Sequence, residues 1–589
     1  MDFQQKTRLG IVLGLMGVMA AVIVVRLVTF QILNAEEWGE QNSHQYVRWS
    51  NPQRGEILDR NGNVLAANGF DYQINIQVPQ PVTPNVAEDL SSLSAELAVI
   101  LNNGGSDVSA FEIREQLSVT RTNVLLPYRI SHDQAVLVDD ISSREINPFW
   151  GIYTTELPRR IYPQGDMACH LLGYTQLASQ YSEYRGVNGI EEKFNRELAG
   201  QIDTAEAHIS PLRSQESAIA VDGYDVELTI DRTIQHTVEQ HLAQSMATYG
   251  AHSGTVVVMN PRTGAVLAMA NLPCYDPFEY YQSAEVQQPE NKKLPIFTNP
   301  AVSIPYEPGS VMKLVTMAIA LDAGTVTPNS TYVDTGVMNI DGNYIYNAYK
   351  ATYGEMGMRD IINFSLNIGS AWLALETGPD TYYTYMQRFG FGQKSGINLE
   401  NEAPGSMSYP GDELWTDVVL ATNAFGQGMT TTPLQMTAAV AAIANDGVLM
   451  RPYIVDKIYK GKEVISDPEP FEQSRAVSAE TAREVRQMAI FAVNHQINVA
   501  SVPGYTVAGK TGTAQIPEEG GFYHPTDTIA SFVGFLPADD PQLVILYKLD
   551  RPTSSEWGSE TAAPAFSDLA QKLVVLLDIP PDSVRLAQR

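Results

Sequence analysis

From Val311 to Ala323 the chain is apolar on nearly every face of a helix and free of proline. A helix that is apolar all round has to be buried, and this one takes Lys313 into the interior with it. Pro308-Gly309 breaks the chain just before, so Ser310 falls at the head of the helix and Lys313 one turn further on, on the same face. Unpartnered backbone N–H groups gather at that end and favour developing negative charge. An ammonium held among Met312, Leu314 and Met317 loses hydration, its pKa falls, and a neutral amine becomes available as base. A serine hydroxyl needs such a base to act as a nucleophile near pH 7. Taken alone, the pair reads better as a capping serine and a solvated lysine.

Two further strings narrow the choice. Ser365-Leu366-Asn367 follows a mixed stretch, Arg359 to Phe364, that suits a helix. Positions i and i+2 do not share a helix face, so this string belongs at the start of a loop or turn. There Ser365 could relay a proton and Asn367 could grip an amide with both donor and acceptor. The third string, Lys510-Thr511-Gly512-Thr513, lies in a β-branched segment with Gly509 and Gly512, as expected of a strand that another backbone approaches closely. Lys510 and Gly512 then face one way and Thr511 and Thr513 the other. Lys510 would supply positive charge and the threonine hydroxyls would bind a carboxylate. The backbone N–H groups of Ser310 and Thr513 would make an oxyanion hole. A phosphate-binding loop is excluded, because Tyr505 stands where its first glycine belongs and Gly512 sits where its helix should begin.

A second apolar run, Leu9 to Val25, is just long enough to span a bilayer. Lys6 and Arg8 precede it, and Glu36, Glu37 and Glu40 follow, which orients the N-terminus to the cytoplasm and the remainder outside. No cleavage pattern follows the run, so it is read as a retained anchor. The expected organisation is a cytoplasmic tail over 1–8, an anchor over 9–33, a first extracytoplasmic domain over 41–220 with a helical insertion near 81–126, and a second domain over 221–589. In the second, Asp225 to Ile230 reads as a strand, Asp231 to Met246 as an amphipathic helix, Ser253 to Ala270 as a hairpin, Ile529 to Phe535 and Leu543 to Leu549 as strands, and Ala562 to Leu577 as a closing helix. Strands at both ends with helices between imply an α+β fold around a mostly antiparallel sheet. A net charge of −29 argues against nucleic acid as a partner. The scattered histidines give no metal spacing, and neither metal nor cofactor is expected. Cys169 and Cys274 are the only cysteines and could pair, but the reading favours two free thiols.

Ser-x-x-K, Ser-x-Asn and Lys-Thr-Gly in this order form a motif set shared by penicillin-binding proteins and class A β-lactamases. Beyond it, Arg54-Gly55-Glu56-Ile57-Leu58-Asp59-Arg60-Asn61-Gly62, then Arg159-Arg160-Ile161-Tyr162-Pro163 with His170-Leu171-Leu172-Gly173-Tyr174, then Gly189-Ile190-Glu191 resemble three motifs of a pedestal domain. Tyr306-Glu307-Pro308-Gly309-Ser310, Gly426-Gln427-Gly428 with Thr432-Pro433-Leu434-Gln435, and Ile579-Pro580-Pro581-Asp582 extend the likeness over almost the whole chain. The chain resembles the class B penicillin-binding proteins, which are membrane-anchored peptidoglycan D,D-transpeptidases. That resemblance implies a pedestal of the dimerisation type over 41–220 and a transpeptidase domain over 221–589.

It also implies a reaction. Ser310 would attack the penultimate D-alanine carbonyl of a peptidoglycan stem peptide, and the acyl group would pass to the amine of a neighbouring stem. Lys313 and Ser365 would move protons, Asn367 would hold the donor amide, and Lys510, Thr511, Gly512 and Thr513 would bind or polarise. β-Lactams would acylate Ser310. The implied partners are stem peptides, the membrane, a separate multi-pass glycan polymerase and other wall-synthesis proteins. Service in division is favoured over sidewall elongation on the pedestal spacing. A β-lactamase is a weaker reading, with Glu400 or Glu402 as its water-activating base. A β-lactam sensor and a non-catalytic scaffold are the other weaker readings.

Overall fold

A computed structural model describes residues 14, 16–25, 52–78, 82–118, 123–143, 151–177, 184–210, 213–280, 296–517 and 523–587. Residues 16–25 are helical, and among the described residues no helix is long and apolar enough to cross a membrane. The rest of the expected anchor, and the tail before it, lie outside the described residues. Residues Gln201–Ser210 and Arg213–Val221 pair as a two-stranded ribbon.

The pedestal grows around one long strand. β1 (Ile57–Leu58) and the start of β2 (Val64–Gln77) pair antiparallel. The chain then enters α1 (Pro84–Asn103) and α2 (Ala110–Leu117), β3 (Asn123–Ile130), α3 (His132–Ser143) and β4 (Gly151–Ile161). Both β3 and β4 pair antiparallel with β2. The insertion expected near 81–126 is thus helical, and it closes a core of its own. Leu90, Leu93, Leu97 and Leu101 recur at helical spacing on α1 and meet Ile74, Ile76, Ile113, Leu126 and Val138. Each fully buried Leu or Ile there contributes ~2 kcal/mol. Thr83 caps α1 ahead of Pro84, and Ser109 with Glu112 forms a capping box on α2.

The three pedestal motifs converge on one carboxylate. Arg54 Nε donates to Glu191 Oε2 at 2.6 Å, and Arg160 Nε donates to Glu191 Oε1 at 2.7 Å. The Glu191 side chain is fully buried. Burial pushes its pKa up, but the Arg160 and Arg54 guanidiniums outweigh that and hold it below the ordinary value. Asp59, also buried, accepts from the N–H groups of Asn61, Asn63 and Arg232.

The second domain opens with β5 (Asp225–Leu228) and α4 (Arg232–Tyr249), whose N-cap is Asp231. β5 pairs parallel with β1. On its other side it pairs with β8 (Val455–Lys460), which pairs with β9 (Glu463–Ser466) once the chain has passed through the elements below. One seven-stranded sheet therefore crosses the expected boundary at residue 221.

A five-stranded sheet, antiparallel throughout, forms the centre of this domain. It runs β7 (Val266–Leu272), β6 (Ser253–Met259), β12 (Leu543–Asp550), β11 (Tyr523–Leu536), β10 (Ala508–Pro517). α4 and α10 (Ala562–Leu576) cover one face. α8 (Pro433–Ala444), buried at every position, covers the other, with α9 (Ala479–His495) beside it. α5 (Lys313–Asp322) packs against α8 and α9, next to α6 (Met358–Asn363) and α7 (Asn367–Thr377). The expected strands, hairpin and helices fall where the periodicities put them.

One expectation is overturned. Cys169 and Cys274 are not free thiols but a disulfide, with Cα atoms 6.3 Å apart. They stand 105 residues apart in sequence, and the bond ties Cys274, two residues beyond the end of β7, to the short pedestal helix Cys169–Leu172.

Candidate active site

The apolar helix is buried as its sequence requires, although its first turn is tighter than an α-helix. Gly309–Met312 form a 3-10 turn that runs directly into α5 at Lys313. Ser310 is partly accessible, whereas Lys313 is 1 % exposed. Gly309 sits at φ +58 and donates its N–H to Gly426 O at 3.0 Å, which fixes the entry to the turn. Glu307 Oε1 accepts from Gly428 N at 3.0 Å and Tyr523 OH at 3.2 Å, so the Gly-Gln-Gly loop is clamped to the segment ahead of Ser310.

The second string meets the first at the lysine. Lys313 Nζ lies 2.6 Å from Ser365 O, 3.1 Å from Ser365 Oγ and 2.7 Å from Asn367 Oδ1. Ser365 occupies the left-handed region at φ +58 between α6 and α7, which turns its carbonyl and hydroxyl to the same nitrogen. Asn367 is the first residue of α7, and its Nδ2 donates to Tyr346 O at 3.0 Å. One acceptor lone pair and one donor of the Asn367 amide are thus already engaged, leaving one of each for a ligand. Asp334 accepts from Asn347 Nδ2 through Oδ1 and Oδ2, at 3.0 and 2.8 Å, and Asn347 Oδ1 accepts from Ile368 N at 3.2 Å. This brace holds the head of α7, and nothing in the local sequence marked it.

The third string closes the other wall. Gly512 faces the turn that carries Ser310 so tightly that a Cβ there would lie 2.8 Å from Pro308 O and 2.9 Å from Val311 Cγ2. A Cβ on Gly309 would lie 2.7 Å from Thr513 O. Glycine on both backbones is what permits this approach. Lys510, two residues along β10 on the face of Gly512, is 1 % exposed, whereas Thr511 and Thr513 are half-buried. Lys510 Nζ reaches Thr511 O and Oγ1, each at 3.2 Å. Thr513 Oγ1 accepts from Gly558 N at 3.1 Å, which brings in a loop that no motif singled out. Behind the strand, Asp582 Oδ2 accepts from Thr506 N and Oγ1, each at 2.7 Å, so the C-terminal Ile-Pro-Pro-Asp string anchors the run-up to Lys510.

Two lysines are buried in one site, and the charge of one bears on the other. Burial, and then the charge of Lys510, hold Lys313 well below the ordinary lysine value. Burial brings Lys510 down to about 7. A neutral Lys313 can donate to Ser365 O and Asn367 Oδ1 while keeping its lone pair for a hydroxyl proton. Glu400 and Glu402 take no part. Glu400 pairs with Lys193 at 3.1 Å, and buried Glu402 accepts from Ser395 N, Ser395 Oγ and Gly396 N.

Comparison with known proteins identifies the family. The family model for the penicillin binding protein transpeptidase domain matches residues 254–571, and that for the penicillin-binding protein dimerisation domain matches residues 50–228. Stage V sporulation protein D of Bacillus subtilis is 31% identical over 546 residues, covering 90% of this chain and 79% of the relative. Peptidoglycan D,D-transpeptidase FtsI of Escherichia coli is 28% identical over 597 residues, covering 98% and 93%. Crystal structures of penicillin binding protein 3 from Mycobacterium tuberculosis, free and with aztreonam, superpose with a TM-score of 0.67 at 28% identity, over 90% of this chain and 97% of theirs. The chain belongs to the class B penicillin-binding proteins, with a transpeptidase domain following a dimerisation-type domain.

Proposed function

We propose that the chain is a serine D,D-transpeptidase that crosslinks peptidoglycan stem peptides through an acyl-enzyme on Ser310, and that β-lactams acylate the same residue. The observation that carries this is the buried Lys313 amine, one turn from Ser310, joined to both Ser365 and Asn367. In this reading Lys313 takes the Ser310 proton as Oγ attacks the carbonyl of the penultimate D-alanine. The oxyanion is held by the N–H groups of Ser310 and Thr513. Ser365 returns a proton to the departing D-alanine, Asn367 holds the donor amide, and Lys510, Thr511, Gly512 and Thr513 receive the terminal carboxylate. A neighbouring stem's amine then displaces Ser310.

The structural engagement of Glu400 and Glu402 favours transfer over hydrolysis, because neither carboxylate is left to activate water. The reading includes a single N-terminal membrane anchor over 9–33 with the chain beyond it outside the cytoplasm, a pedestal over 41–220 and a catalytic domain over 221–589. A separate multi-pass glycan polymerase supplies the strands. We assign it to division on the spacing of the pedestal motifs, with sidewall elongation as the alternative, and imaging a tagged copy at septum and sidewall decides between them. Labelling with a fluorescent penicillin followed by peptide mass spectrometry tests the site: the adduct is expected on Ser310, and an adduct elsewhere, or rapid penicillin turnover without one, refutes the assignment.

A further inference from the structure

Outside the catalytic groove, the described residues bring together one group of three soft metal-ligating side chains: Cys169, His170 and Cys274, whose ligand atoms all lie within 4.8 Å of one another. We propose that reduction of the disulfide turns this group into a binding site for a thiophilic divalent cation of the zinc type, held by Cys169 Sγ, Cys274 Sγ and His170 Nδ1, with water in the fourth position.

The hydrogen bonding of His170 points to this. Its Nε2 lies 2.8 Å from Ile296 O, and a carbonyl oxygen only accepts, so Nε2 carries the proton and Nδ1 of the neutral ring carries the lone pair. That lone pair faces Cys169 Sγ at 3.1 Å. A disulfide sulfur has no proton to offer, so the oxidised form leaves a buried acceptor without a donor. A thiol or a metal ion satisfies it. A ligating histidine whose other ring nitrogen donates to a backbone carbonyl is the arrangement metal sites use to fix tautomer and ring orientation.

The surroundings fit a largely buried site with one open position. Cys169 and His170 are buried. Tyr275 meets the His170 ring edge-on at 5.6 Å and donates its hydroxyl to Cys169 O at 3.0 Å. Cys274 is partly exposed beyond the end of β7, so its sulfur can move away from its partner and water can enter beside it. Two thiolates and an imidazole are a donor set that suits tetrahedral zinc. Opening the disulfide takes two electrons from a dithiol or phosphine reductant, which is oxidised to a disulfide or a phosphine oxide, and two protons, which come from the dithiol itself or, with a phosphine, from the water molecule whose oxygen it takes up. Metal binding then releases the two thiol protons. The coordinate tie replaces the covalent one and keeps the end of β7 on the pedestal helix.

The test uses the full-length detergent-solubilised protein, oxidised or reduced anaerobically with a phosphine, and titrated with Co2+ and then Zn2+. Reduced protein should bind one Co2+ per chain with thiolate-to-cobalt charge-transfer bands and the intense visible bands of a tetrahedral site, and Zn2+ should displace it. Oxidised protein should bind none. Cys274→Ser should weaken binding at least about a hundredfold, and His170→Phe should do the same while leaving both thiols titratable. Penicillin labelling of each variant checks its fold, and the oxidised-versus-reduced comparison on the wild type stands without any variant. Absence of stoichiometric Co2+ uptake by the reduced wild type, or unchanged uptake by a folded Cys274→Ser protein, overturns the proposal.

Discussion

Replacing Glu191 with glutamine tests whether the pedestal motifs act as a structural clasp. In the native protein one buried carboxylate faces two guanidiniums, with Arg54 Nη2 at 2.5 Å and Arg160 Nε at 2.7 Å. Arg54 Nη2 also donates to Glu191 O at 2.9 Å, and Arg54 Nη1 donates to Asn195 Oδ1 at 2.9 Å. Glutamine keeps the shape but turns one acceptor into a donor aimed at a cation, and leaves two like charges buried together. Removing one partner from a buried ion pair costs ~3–5 kcal/mol. At 1.4 kcal/mol per decade, that lowers the folded-to-unfolded ratio about 100- to 4,000-fold.

The assay is urea unfolding of detergent-solubilised protein, followed by pulse proteolysis and by Ser310 labelling. The acid limb supplies an internal control. The folded pKa of Glu191 lies below the unfolded one, so its stabilisation is present above the unfolded value and is lost as pH falls through the folded value. Wild type and Glu191→Gln should therefore converge in acid. A triple variant, Arg54→Met, Glu191→Leu, Arg160→Met, removes charge and partner together and should recover most of the loss. Equal unfolding midpoints for wild type and Glu191→Gln near pH 7 would refute the reasoning.

Gly512→Ala puts a Cβ 2.8 Å from Pro308 O; the strand must back away from the turn that carries Ser310, and penicillin acylation should slow about a hundredfold while far-UV dichroism stays unchanged. In Ser310→Ala, non-covalent binding of a penicillin at pH 8 should take up about one proton, because a carboxylate beside Lys510 raises a pKa that burial holds at about 7. Calorimetry in buffers of different ionisation enthalpy reads that uptake, and buffer-independent heats would contradict it. Burial raises Glu239 to about 7 although Gln235 and the Ala168 N–H bond to it, so its folded pKa exceeds the unfolded one and stability is lost as pH rises from 4.5 to 7. Glu239→Gln should accordingly be up to about 3 kcal/mol more stable than wild type at pH 8 and no different below pH 4.5, by urea unfolding.

How far the sequence carries depends on the distance over which each feature is decided. The strand before Asp231, the helix it caps and the hairpin around Asn260 are set by neighbours a few residues apart, and they were legible. So was the buried helix of Lys313, because no exposed position suits so many consecutive apolar residues. The left-handed Ser365 was not legible, since that conformation is held by contacts to Lys313 from another helix. The Asp334–Asn347 brace and the Gly558 contact to Thr513 depend on loops meeting across the fold. The Cys169–Cys274 bond was misjudged for the same reason: composition cannot say whether thiols 105 residues apart are neighbours. The three pedestal strings were recognised one by one, but their convergence on Glu191 is a fact of three dimensions.

The pairing of β5 between β1 and β8 bears on how this protein can be shortened. Trimming away everything before residue 221 looks harmless along the sequence, yet it strips β5 of one hydrogen-bonded neighbour and uncovers Val226 and Leu228, both fully enclosed in the intact chain. A raw strand margin of that kind recruits other molecules and clumps. A truncated version meant for inhibitor screening will stay dispersed only if it retains Ile57 and Leu58 along with the residues that hold them in place.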